Sequence, residues 1–134
     1  MAKTEAVVRF ILGPIGMDVR PLAYAADIAI DLIFYQRMSM DDIQVTNDIY
    51  PEVAKLLKNH YGKVPTSGTV SKRIQRLANL YWETLVDRDL VLEYVGAPIK
   101  DIRAPRDIIF YIAFYAHLDT PYFIAIRQEP SLLF

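Results

Sequence analysis

Apolar positions recur every three or four residues along most of this chain, and the segments that break that rhythm lie at its ends. The clearest example is "TVSKRIQRLANLYW", residues 69–82. On a wheel of about 100° per residue, Val70, Leu77, Ala78 and Tyr81 fall within ~60° of Ile74, while Thr69, Lys72, Arg76 and Asn79 gather opposite, flanked by Arg73 and Gln75. The pattern predicts a helix capped by Thr66 that runs to Leu85 or Val86. Upstream, "DVRPLAYAADIAIDLIFYQRM" carries a broad apolar face from Leu22 to Phe34, with Asp18 as N-cap and Pro21 in the first turn. Ser39 and Asp42 resemble a capping box that would start a helix over Met40 to Ile49. Pro51 opens another over "PEVAKLLKNHY", with Val53, Leu56 and Leu57 facing inward.

Further on, Asp87 is positioned to cap a short helix over "RDLVLEYV", closed by Gly96; a strand suits Val91, Leu92, Tyr94 and Val95 equally well. "APRDIIFYIAFYAHL" has Pro105 and Asp107 in its first turn and is apolar nearly all round, which predicts a helix at a core or a dimer interface. The ends read differently. "AVVRFIL" (6–12) and "YFIAI" (122–126) are β-prone runs bounded by turn residues, so a short strand is expected at each. The expected fold is all-α, a single domain of five to six helices, with extended terminal segments at 1–12 and 119–134.

Composition supports a folded domain, with 53% apolar and 23% charged residues among 134. There is no cysteine, which excludes disulfides and thiolate metal sites. No apolar run reaches the ~18 residues of a membrane span, and the start lacks a signal-peptide cleavage pattern, so a cytoplasmic protein is expected.

Charge changes the picture more. The formal net charge is −1, yet Val53 to Trp82 holds Lys55, Lys58, Lys63, Lys72, Arg73 and Arg76 with no acid. The stretch before it, Ala23 to Glu52, sets six carboxylates against Arg37. For binding a polyanion, such local sign matters more than the sum. A charged face opposite a core stripe is by default only solvated. Two consecutive helices with acid-free basic faces make a helix-turn-helix the competing reading, since long basic side chains reach base edges in a major groove.

Other chemistry is weakly represented. His60 and His117 stand alone, without a metal-binding pattern, and read as structural or surface histidines. Asp41-Asp42, Asp87 and Asp89 suit helix starts better than catalysis. Gly13-Pro14-Ile15-Gly16 lacks a phosphate-loop lysine. Lys100, Arg103 and Arg106 read as a solvated basic loop. Neither catalytic residues nor a cofactor or metal site are expected.

The segments "IGMDVRPLAYAADIAIDLIF", "VTNDIYPEVAK", "TVSKRIQRLANLYW" and "RAPRDIIFYIAFYAHL", in this order, resemble the C-terminal DNA-binding domain of the master sporulation response regulator of endospore-forming bacteria. The most telling pieces are Tyr50-Pro51 before Ala54-Lys55, the Val70 and Ile74 pair, Trp82, and a last helix opened by Pro105. The likeness covers 13–118. It implies an all-helical effector domain in which 51–61 supports a recognition helix at about 66–85, and it implies promoter DNA as the partner. It also implies dimerisation through the last helix, here by Ile108, Ile109, Ile112, Phe114 and Tyr115, with the terminal strands as another route. The family's receiver domain has no counterpart in residues 1–12. The segment "KNHYGKVPTSG" is longer than the family's tight turn. The family's base-reading Ser-Arg-x-Glu-Arg pattern falls on Gly68, Thr69, Ser71 and Lys72, of which only Lys72 keeps its charge.

The residues and the resemblance together predict a DNA-binding transcriptional regulator. Thr69, Lys72, Arg73, Gln75 and Arg76 would face bases; Lys55, Lys58, Lys63, Thr66 and Ser67 would hold phosphates. The alternative is a paralogue that keeps the fold but acts as a protein-interaction or dimerisation module.

Overall fold

The computed structural model describes residues 3–58 and 62–133. It contains seven α-helices: α1 Lys3–Leu12, α2 Arg20–Ile30, α3 Tyr50–Leu56, α4 Ser67–Asp87, α5 Val91–Val95, α6 Pro105–Leu118 and α7 Tyr122–Gln128. A π-helical turn, Asp31–Tyr35, prolongs α2; another, Val45–Ile49, leads into α3; 3-10 turns lie at Met40–Asp42 and Pro130–Leu132. No strand occurs among the described residues, so the all-α expectation holds, the two terminal strands do not, and the helices number seven rather than five to six because both terminal segments fold as helices.

The helix α6 is the hub. It packs against α1, α2, α4, α5 and α7, and this is why its sequence is apolar nearly all round. Ile108, Ile109, Ile112 and Phe114 are completely buried, and Tyr115 is half-buried against Tyr94, ring centroids 4.5 Å apart. The side chains expected to offer a dimer surface are thus mostly spent on this subunit's own core. At the start of α6 the Asp107 carboxylate accepts the backbone N–H of Ala104 at 3.2 Å, as an acid in a first turn should.

The N-terminal segment forms α1 because Thr4, Val8, Ile11 and Leu12 are spaced to make one buried stripe, which outweighs the β-propensity of its valines and phenylalanine. Glu5 and Arg9 add an i,i+4 ion pair at 3.0 Å. Thr4 donates its hydroxyl to Asp27 on α2 at 2.6 Å, and Gly13, at φ 66°, ends the helix in the left-handed conformation. At the other end, α7 buries Ala125 and sets Tyr122 against Tyr111 and Phe114, with centroids 5.1 and 5.0 Å apart. The helix α7, with its aromatic cluster, replaces the expected strand.

Three smaller expectations are also corrected. Ser39 makes no side-chain cap; its hydroxyl donates to the Leu133 carbonyl at 3.4 Å, and only a three-residue 3-10 turn follows. Asp87 is the last residue of α4, not the cap of α5, and the turn between them runs through Asp89 at φ 57°. Arg106 is no solvated loop residue. Its guanidinium donates to the carbonyls of Met40 at 2.5 Å and Ile43 at 2.6 Å and lies over the Phe110 ring at 4.6 Å.

Candidate nucleic-acid interface

The helix α4 has 21 residues and begins as its sequence predicts: the Thr66 hydroxyl accepts the Thr69 backbone N–H at 3.1 Å. Val70, Ile74, Leu77, Ala78, Tyr81, Trp82 and Leu85 are buried, and they hold the helix against α1, α2, α3 and α6. Thr69, Lys72, Arg73, Gln75 and Arg76 are all exposed on its other side. The structure therefore keeps the five proposed base-facing residues together on one solvent-facing stripe, within the first three turns.

Lys72, Arg73 and Arg76 also line a surface cleft of about 450 Å³ together with Met17, Leu77 and Asp18. Asp18 comes from the loop before α2. It forms a bidentate pair with Arg20, at 2.8 to 3.1 Å, and accepts the Arg20 backbone N–H at 3.0 Å. These bonds, foremost the one to the Arg20 side chain, hold the Asp18 carboxyl below the usual carboxylate range, and the charge of nearby Arg73 adds to the effect. The basic cleft thus has an acidic wall, and its carboxylate is already neutralised by its own arginine. Spacing along α4 gives no sign of Met17, Asp18 or Arg20, which arrive from another part of the chain.

The residues expected to hold phosphates divide. Ser67, in the first turn of α4, and Lys58 and Lys63, in the connector before it, are exposed. The Thr66 hydroxyl is engaged as the helix cap and lies 2.9 Å from the Thr69 hydroxyl. Lys55 stands apart. It pairs with Glu52 at 3.0 Å and lines a separate groove with Asp27, Asp31 and Asp48. Its surroundings are acidic: Glu52 comes from one turn earlier on α3 itself, Asp48 from the turn ahead of α3, and Asp27 and Asp31 from α2 and its π-helical extension, which the acid-free run that begins at Val53 does not include.

The packing of α3 and α4 is less regular than a short-turn motif. The helix α3 spans only seven residues, and residues 57–66 separate it from α4, whereas helix-turn-helix pairs are joined by three or four residues. The continuation of the expected supporting helix over 59–61, with His60, lies outside the described residues. Both α3 and α4 pack on α2 and on each other. Burial of Tyr50 at the start of α3 pushes its phenol pKa up.

His117 packs on Phe34, centroids 4.4 Å apart, and near the edge of Tyr35 at 5.8 Å, which gives it a packing role. Among the described residues, no group of three His, Cys, Asp or Glu side chains could hold a metal ion, and no single helix is long and apolar enough to cross a membrane.

Comparison with known proteins finds no family model, no curated protein and no solved structure that matches this chain.

Proposed function

We propose that this protein binds duplex DNA through the first three turns of α4. One observation carries the reading: a capped 21-residue helix, buried on one side, presents Thr69, Lys72, Arg73, Gln75 and Arg76 together to solvent on the other. That is the arrangement a recognition helix needs, with arginine and lysine for phosphates and guanine edges and glutamine for adenine. In this reading α3 is the supporting helix and the α3–α4 pair a helix-turn-helix with an extended connector. Lys58, Lys63 and Ser67 line the backbone, while Lys55, held among acids, is left out. The ordered resemblance to the sporulation effector domain supports the same assignment, and transcriptional regulation follows from it. The unlike residues at 68, 69 and 71 give this protein a different target sequence.

Fluorescence anisotropy with a labelled duplex at several salt concentrations tests the proposal. With about four phosphates neutralised, log K falls with log salt at a slope of roughly −3 to −4. Absence of binding to any duplex at low salt overturns it.

A second reading, a protein-interaction module on the same fold, draws on the interruption of the basic face at Lys55. Replacing Lys72 and Arg76 by alanine separates the two. DNA binding is weakened and its salt dependence reduced under the first reading, and a protein partner seated elsewhere is retained under the second.

A further inference from the structure

Two surface depressions of this molecule differ in charge, one basic and one acidic. The basic cleft on α4 joins Lys72, Arg73 and Arg76 to apolar Met17 and Leu77. The second is a groove of about 550 Å³ between α2, its π-helical extension and α3. Its floor is apolar, from Ile28, Leu32 and Leu56, the last 57% exposed despite being a leucine. Asp27, Asp31, Asp48 and Glu52 surround that floor, against the single cation Lys55.

The groove's charge is poorly compensated inside the subunit. Asp27 accepts from the Thr4 hydroxyl at 2.6 Å, Asp31 from the Gln36 amide at 2.6 Å and Asp48 from the Gln44 backbone N–H at 2.7 Å. All three donors are neutral, and among the described residues only Glu52 has an ion-pair partner, Lys55. None of the ion pairs among the described residues joins the groove to Lys72, Arg73 or Arg76. An apolar trough edged by unneutralised carboxylates fits the basic side of an amphipathic helix, and this chain carries such a helix on another part of its surface.

We propose that the groove between α2 and α3 docks the basic face of α4 from a second copy of this chain. The contact is heterologous, because the two surfaces differ, so each copy bound leaves one groove and one helix open and assembly continues head to tail. The same contact covers the residues assigned to DNA, so assembly and duplex binding exclude each other at any one helix. An interface of one helix face in one groove lies at the small end of specific contacts and depends on charge, which makes the assembly weak, reversible and sensitive to salt.

Complementary charge reversals test this. One variant carries Lys72→Glu with Arg76→Glu; the other carries Asp31→Lys with Glu52→Lys. All four positions are exposed, and circular dichroism checks that each variant is folded. At low salt, light scattering on the eluting wild-type protein is expected to show a mass that rises with concentration. Each variant alone stays at the monomer mass. Their equimolar mixture regains assembly, at twice that mass or more, because the intact groove of one meets the intact helix of the other and the two reversed surfaces also attract, and it dissociates in high salt. A mixture that stays monomeric overturns the proposal, as does wild-type protein that stays monomeric at every concentration and salt. Anisotropy with duplex DNA reads the other assignment separately: the groove variant binds DNA at least as tightly as wild type, and the helix variant does not. Loss of DNA binding in neither variant overturns the DNA reading and leaves the mixing result to stand alone.

Discussion

The hydroxyl of Thr66 accepts the backbone N–H of Thr69 at 3.1 Å, and this single bond fixes where the basic helix begins. Thr66→Ala removes it and is expected to cost about 1 kcal/mol, while Thr66→Ser retains most of the stability. Urea unfolding followed by the fluorescence of Trp82, the sole tryptophan, measures both. An alanine variant as stable as wild type contradicts the assignment of this cap.

Arg106 fastens α6 to the segment that carries Met40 and Ile43. Truncating it to alanine leaves two carbonyls without their charged donor and removes the contact over Phe110. The expected loss is about 2 to 4 kcal/mol, and a lysine, which reaches one carbonyl at a time, recovers only part of it. Duplex binding by the folded protein is unchanged, because the residue is remote from the α4 stripe in role and in sequence.

Gly96 adopts φ 89° at the end of α5, and a Cβ there would lie 3.0 Å from the Pro121 Cβ and 3.3 Å from the Ile124 backbone nitrogen. Gly96→Ala therefore combines left-handed strain of about 1–2 kcal/mol with displacement of α7. The midpoint of chemical unfolding falls by a corresponding amount. By contrast Gly68→Ala, where only the Thr66 hydroxyl oxygen lies within contact distance at 3.9 Å, is neutral or stabilising.

Two aspartates give opposite pH dependences. The folded protein holds the Asp18 carboxyl low, so its contribution is complete above the ordinary carboxylate pKa and is lost as pH falls through the lowered value. Burial raises Asp27, against the hydrogen bond from Thr4, so its contribution is complete below the ordinary value and is lost as pH rises through the raised one. Asp27→Asn keeps an acceptor for Thr4 without the charge. Its stability relative to wild type is expected to improve between pH 3 and pH 7, and a relative decline over that interval refutes the assignment.

On DNA, Lys72→Ala with Arg76→Ala reduces the magnitude of the salt slope by about 2, whereas Lys55→Ala leaves it unchanged. An equal effect of Lys55 would place α3 on the phosphate backbone after all.

Much of this molecule is readable in its sequence. The Thr66 cap, the Ile74-centred stripe, the stop at Gly96 and the Pro105 start all come from short-range chemistry and appear where residue spacing puts them. The terminal segments do not, because a short apolar run such as "AVVRFIL" suits a strand or a buried helix equally, and only its partners decide. For α1 those partners are α2, next in the chain, and α4 and α6, far along it. The exposed stripe of α4 was legible for the same local reason. Its acidic neighbour Asp18, and the carboxylates Asp27 and Asp31 near Lys55, come from segments that spacing along α4 and α3 cannot bring into view.

One helix serves both as the outer stripe and as a wall of the core. Since Ile74, Leu77 and Ala78 alternate with Arg73, Gln75 and Arg76, the site cannot melt while the rest of the protein stays folded. Whatever occupies the stripe must then raise the temperature at which the whole chain unfolds, by about 2.7 kcal/mol of added stability at a hundredfold excess over Kd. The protein is in effect its own thermometer for ligands, and a melting curve can rank duplexes, peptides or further copies of itself without any label.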